Sequence, residues 1–117
     1  MGIKTFRDLT IWQKSVELVI EIYNVTKEFP KEETYGLVSQ MRRAAVSIPS
    51  NVAEGFRRFH NKEYKQFLYV SAGSCGELET QITIAKKLDY IDEEQESVLL
   101  EKLYHIGRMI SSLIKKL

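Results

Sequence analysis

Residues 61–88 read NKEYKQFLYVSAGSCGELETQITIAKKL. Within them Tyr64, Leu68, Ser71, Cys75, Leu78, Ile82 and Ala85 recur at alternating steps of four and three. That spacing lines up one face of an α-helix and does not suit the two-residue alternation of a strand. A helix is therefore expected from about Asn61, whose side chain can cap it, to Leu88. Its middle, Ser71-Ala72-Gly73-Ser74-Cys75-Gly76, is unusually small. Two glycines inside a helix cost about 1 kcal/mol each relative to alanine. At least one of Gly73 and Gly76 is therefore expected to lie against a neighbouring helix or a bulky side chain.

Three other segments carry a similar period. The first runs from about Asp8, a candidate cap, to Glu28, before Phe29-Pro30. It has a main apolar stripe, Trp12, Val16, Val19 and Tyr23, and a second beside it, Ile11, Leu18, Ile22 and Val25. The next runs from about Glu33 to Arg58, with its stripe at Leu37, Met41, Ala44, Ala45, Ile48, Val52 and Phe56. Pro49 lies inside it. A proline there removes one donor and crowds the carbonyl four residues back, so either a kinked helix or two helices meeting at Pro49 would satisfy the pattern. Ser47 or Ser50 is positioned to satisfy a freed backbone group. The last runs from about Asp92 to Lys116, opening on an Asp92/Gln95 capping box and burying Leu99, Leu103, Ile106, Ile110, Leu113 and Leu117.

Long helices joined by short turns pack antiparallel. The expected fold is all-α, an antiparallel up-down-up-down four-helix bundle filling residues 1–117 as a single domain. Seventeen basic and sixteen acidic residues leave a formal charge of +1, so total charge selects no partner. Cys75 is the only cysteine and reads as a core residue. The start, Met1-Gly2-Ile3-Lys4-Thr5, has no apolar signal-peptide run, and no apolar stretch is long enough to span a membrane. A cytoplasmic protein is expected.

Catalysis has little support. His60 and His105 stand on different stretches, and no metal-ligand spacing or phosphate-cradling glycine loop occurs. The expectation is a non-enzymatic protein without a metal or cofactor.

The residues recommend binding instead. Gln40, Arg43, Ser47, Asn51, Glu54 and Arg58 share a face of the second helix. They form either a structural polar network, with Glu54 and Arg58 as an i,i+4 pair, or a pocket for a ligand or partner. The extra stripe Ile11, Leu18, Ile22 and Val25 widens the apolar surface beyond what one core needs and is expected to form an oligomer interface, the alternative being a broad, asymmetric core.

Charge is also sorted by position. Alternating helix direction gathers Lys4, Arg7, Arg57, Arg58, Lys62, Lys65, Lys115 and Lys116 at one end, against Asp8, Glu54 and Glu63. The other end collects Glu28, Glu32, Glu33, Asp89, Asp92, Glu93, Glu94 and Glu96, against Lys27, Lys31, Lys86 and Lys87. Helix-dipole complementarity accounts for most of this, but not for Lys62 and Lys65 in the first turns of the third helix. Phe56, Phe59, His60 and Tyr64 are interleaved there, a pattern suited to phosphate contact with base stacking, although Phe56 and Tyr64 fit the core better. Arg57, Arg58, Lys62, Lys65, Lys115 and Lys116 are the candidate nucleic-acid-binding residues. The rival is a protein–protein scaffold that never touches nucleic acid.

Three stretches carry a family resemblance: Leu9-Thr10-Ile11-Trp12-Gln13-Lys14; Gln40-Met41-Arg42-Arg43-Ala44-Ala45-Val46-Ser47-Ile48-Pro49-Ser50-Asn51-Val52-Ala53-Glu54-Gly55; and Ala72-Gly73-Ser74-Cys75-Gly76-Glu77-Leu78-Glu79-Thr80-Gln81. The chain resembles bacterial four-helix bundle proteins first met as open reading frames in intervening sequences of large-subunit ribosomal RNA genes. It is also similar to the accessory variability determinant of diversity-generating retroelements. The resemblance implies a four-helix protomer, a ring-shaped homopentamer, and binding to RNA or to a nucleic-acid enzyme such as a reverse transcriptase; the basic end by itself would suit RNA or DNA.

Overall fold

In a computed structural model, which describes residues 2–117, four helices follow one another: α1 (Thr10–Thr26), α2 (Leu37–Phe56), α3 (Asn61–Lys87) and α4 (Glu93–Lys116). Short 3-10 turns at Phe6–Asp8 and Lys31–Glu33 precede the first two. Each helix packs against its chain neighbours, and α1 closes the ring against α4. The bundle measures 44 × 25 × 22 Å. This is the expected all-α, up-down-up-down arrangement.

The helix starts depart from expectation in instructive ways. Asp8 does not cap α1. Its carboxylate accepts the backbone N–H groups of Lys4 at 2.9 Å and Thr5 at 3.0 Å, while Thr5 Oγ1 accepts from Arg7 N at 3.1 Å. These bonds hold the turn before α1 and keep the Asp8 carboxyl below its usual pKa. At α3 the capping position belongs to His60, with Asn61 already helical, and no side chain caps that start. Glu33 lies ahead of α2 and accepts from Leu37 N at 3.1 Å and from the Tyr90 hydroxyl at 2.8 Å. It thus caps α2 and ties it to the α3–α4 turn. Asp92 and Gln95 form the expected reciprocal box, at 2.7 and 2.9 Å.

The end of α3 needs a left-handed residue. Tyr90 N donates to Ala85 O at 2.9 Å and Asp89 N to Lys86 O at 3.0 Å, the bond pair of a Schellman motif. Asp89 takes the left-handed position, with φ 62°. Aspartate is among the few non-glycine residues that tolerate it.

Both stripes of α1 pack on the protomer's own core, as a broad, asymmetric core requires, and the second lies deeper. Ile11, Leu18 and Ile22 are buried in the protomer's own core, with Val25 half-buried beside them. Ser15 and Thr26 complete that face, donating their hydroxyls to Ile11 O at 2.6 Å and Ile22 O at 2.7 Å. Trp12, Val16 and Val19 are half-buried and Tyr23 is exposed. Counting only apolar residues selects the wrong stripe, because small hydroxyl side chains that bond their own helix backbone can be buried at little cost.

α2 runs through Pro49 as one helix, so the two-helix alternative does not apply. Ser47 and Ser50 do not donate to its backbone: Ser50 is exposed, and Ser47 Oγ accepts from Ser74 Oγ at 2.8 Å. The backbone contact at this point comes from α3, whose Ser71 Oγ donates to Ile48 O at 2.9 Å.

Gly73 and Gly76 face open space, with nothing within 4 Å of a Cβ added to either, so the expected close approach is absent there. It occurs at Gly55 of α2. A methyl group at that position would stand 2.9 Å from Tyr64 Cδ1, 3.0 Å from Phe67 Cβ and 3.1 Å from Tyr64 O. The last two belong to a backbone-near carbon and a carbonyl, which cannot swing aside.

Two stability predictions follow from these contacts. Gly55→Ala should destabilise by about 1–3 kcal/mol through overpacking, whereas Gly73→Ala should stabilise by up to about 1 kcal/mol through helix propensity; urea unfolding of both variants measures the contrast. The second concerns Glu33, whose carboxyl is held below its ordinary value of 4.5 by the Tyr90 hydroxyl and the Leu37 N–H. A depressed folded-state pKa gives stability that is full above the unfolded value and is lost as pH falls through the folded one. The melting-temperature gap between wild type and Glu33→Gln should therefore close as pH is lowered from neutral through that value, and a gap independent of pH would contradict this role.

Candidate nucleic-acid interface

The N-terminal turn, the α2–α3 turn and the end of α4 share one end of the bundle. Direct contact confirms part of that grouping. The Arg57 guanidinium lies 5.4 Å from the centre of the Phe6 ring, and Phe6 packs on Trp12 at 5.3 Å. Arg7 covers the same pair, 5.7 Å from Phe6 and 5.3 Å from Trp12. Arg58 lies over the Phe67 ring at 4.7 Å and pairs with Glu54 at 3.1 Å.

The six sequence-nominated cations thus fall into two groups. Arg57 and Arg58 are exposed but held on rings of their own chain. Lys62, Lys115 and Lys116 are exposed and Lys65 is half-buried. Among the described residues, none of these four lysines enters an ion pair; the pairs present are Lys14–Glu17, Glu54–Arg58 and Glu21–Lys102.

The interleaved aromatic residues also separate. Phe56 and Tyr64 meet edge to face, with centroids 6.2 Å apart, and Tyr64 packs on the core. Burial pushes the Tyr64 hydroxyl up in pKa. Phe59 is 99 % exposed, and His60 beside it is exposed too. The sequence signal for Phe59 was its place off the α2 and α3 stripes, between two helices.

The polar stripe of α2 divides in the same manner. Ser47 and Asn51 are half-buried, and Asn51 Nδ2 donates to Ser47 O at 2.8 Å and to Ser47 Oγ at 3.0 Å. With Ser74 they stitch α2 to α3. Gln40, Arg43 and Glu54 are exposed, so the six residues do not gather into one pocket. Ile11, Leu18 and Ile22 cannot form a subunit interface from inside the protomer core. Cys75 is buried, and burial with the nearby Glu79 charge pushes its thiol up to about 11. It stays protonated at neutral pH, a poor state for a nucleophile. Among the described residues, no helix is long and apolar enough to cross a membrane.

Residues 7–112 match the family model of the 23S rRNA-intervening sequence protein. The chain belongs to that family. Membership agrees with the resemblance of the three stretches, two of which fall on the closely packed α2 and α3. Four solved chains are similar to this one. One is a protein of unknown function from the S23 ribosomal protein family of Bacteroides thetaiotaomicron, solved at 1.70 Å, with a TM-score of 0.82 and 20% identity over 91% of this chain and 99% of that one. At that identity the likeness speaks for the four-helix fold. No curated protein matches the chain.

Proposed function

We propose that this family member acts by binding rather than by catalysis, and that its basic end contacts the phosphates of RNA or DNA. The observation that carries the reading is the placement of Lys62 and Lys65 in the opening turns of α3, without ion-pair partners among the described residues. Helix dipoles favour acids there, so folding alone gives no reason for two lysines. Lys115 and Lys116 add charge at the same end, and the stacked Arg57 and Arg58 present fixed guanidinium groups. The ribosomal RNA context in the family description supports the same reading. No element suited to reading base edges projects from this end, so phosphate contact with little sequence preference is expected. An accessory role beside a nucleic-acid enzyme such as a reverse transcriptase is compatible with such a surface.

We propose also that the protomers self-associate, with the pentamer implied by the resemblance as the favoured state. The surface differs from the stripe expected from sequence. On the outer side of the α1–α2 seam Ile20 is 56 % exposed and Val46 is 39 % exposed. Arg42 of α2 stacks on Tyr23 of α1 at 4.4 Å across the same seam. An association bringing equivalent ends together would multiply a modest positive patch.

Replacing Lys62, Lys65, Lys115 and Lys116 by Gln should weaken RNA binding about tenfold or more at low salt and flatten its salt dependence. Matching changes at Lys27, Lys31, Lys86 and Lys87 should do less. If wild type shows no gel shift at low salt, or both sets lose equally, a protein–protein scaffold becomes the better reading. For assembly, Ile20→Glu should lower the light-scattering mass while leaving the helices folded. Ile22→Glu should instead unfold the protomer, because Ile22 is 0 % exposed.

A further inference from the structure

We infer that Phe59 is a base-stacking residue, so that the basic end takes unpaired strands in preference to duplex. This rests on the phosphate-binding reading above and adds to it the class of nucleic acid. The chain has five phenylalanines, and four of them have a partner within the fold. Phe6 packs on Trp12, Phe29 on Tyr90 at 5.2 Å, Phe56 on Tyr64, and Phe67 lies beneath Arg58. Phe59 alone has neither a ring nor a cation over it among the described residues, and its whole side chain is in water. It sits at the tip of the four-residue connection between α2 and α3, with Arg57 and Arg58 before it and His60 and Lys62 after it.

The surroundings favour a nucleic-acid partner over other uses of an exposed ring. The arginines on one side are anchored on Phe6 and Phe67, which holds the root of the turn in place. The acids at this end are Glu54, which is paired with Arg58, Glu63 in the first turn of α3, and Asp8, whose carboxylate is taken up by the Lys4 and Thr5 N–H groups. A base stacked on Phe59 would therefore carry its flanking phosphates toward cations. In a duplex both faces of each base are already covered, whereas a single strand offers them freely. Tyr35, 96 % exposed, gives an internal contrast. It lies at the opposite end, just after Glu32 and Glu33, where phosphates are repelled.

The test is fluorescence anisotropy at low salt with a labelled single-stranded RNA oligomer and its blunt duplex of equal length. Phe59→Ala should weaken single-strand binding about tenfold, with little change for the duplex. Phe59→Trp should restore it, and Tyr35→Ala should leave both affinities alone. Because Phe59 makes no core contact, Phe59→Ala should melt at the wild-type temperature. Wild type binding neither RNA would overturn the phosphate reading and this one together. Wild type binding both, with Phe59→Ala unaltered or equally weakened on both, would overturn the stacking role alone. A lowered light-scattering mass for Phe59→Ala would assign the ring to a subunit contact. Loss of binding to phosphatidylserine–phosphatidylcholine vesicles, with RNA binding unchanged, would assign it to a membrane surface; either result overturns the inference.

Discussion

The contact between α2 and α3 sets the geometry of everything else in this bundle. Gly55 brings the two backbones close enough that a single methyl group would collide with Tyr64 and Phe67. Farther along the seam Ser71 bonds the carbonyl of Ile48, and Ser74 bonds Ser47. These contacts bracket Pro49, where α2 lacks one of its own hydrogen bonds. A helix weakened at that point survives because Pro49 is buried and α3 supports the chain on either side of it. The serines are therefore part of the packing surface. Small hydroxyl side chains let the helices approach and supply polar contacts that alanine would not.

That same seam fixes the rotation of α3. With Ser71, Ser74, Cys75 and Leu78 turned inward, Gly73 and Gly76 are carried to the outside. Their helix cost finds no offset within the protomer. Tyr69 and Val70 are exposed on the same helix, at 59 % and 51 %. The outer surface of α3 thus combines bare backbone with large apolar side chains.

Electrostatics act on a separate axis, along the bundle. Acids in the 3-10 turn before α2 and at the start of α4, and bases at the ends of α3 and α4, follow the helix dipoles. The basic end departs from that rule at Lys62 and Lys65. It also holds three arginines on aromatic rings, Arg7 and Arg57 at the N-terminal turn and Arg58 on Phe67 of α3. Arg57 and Arg58 thus have a structural role whatever else they touch, while the lysines have none visible in the fold. The distinction between held and unheld cations separates folding chemistry from binding chemistry more cleanly than charge counting does.

The amino-acid sequence by itself determined the four helices, their antiparallel order, the capping box at Asp92 and the sorting of charge to opposite ends. Those features depend on period, turn length and local hydrogen bonding, which are written residue by residue. Other features were not legible. The core stripe of α1 includes Ser15 and Thr26, whose hydroxyls are satisfied by their own helix, so hydropathy alone pointed to the neighbouring stripe. Glycines look alike in sequence whether they are pressed or bare, and only the meeting of α2 and α3 decides that Gly55 is the pressed one. Phe56 and Tyr64 stand on the helix stripes already in the sequence and Phe59 stands off them, but that the two rings meet edge to face while Phe59 is left in water is decided by the turn. In each case the deciding quantity is which face of a helix meets a neighbour, a property of two elements at once that neither strip of sequence contains.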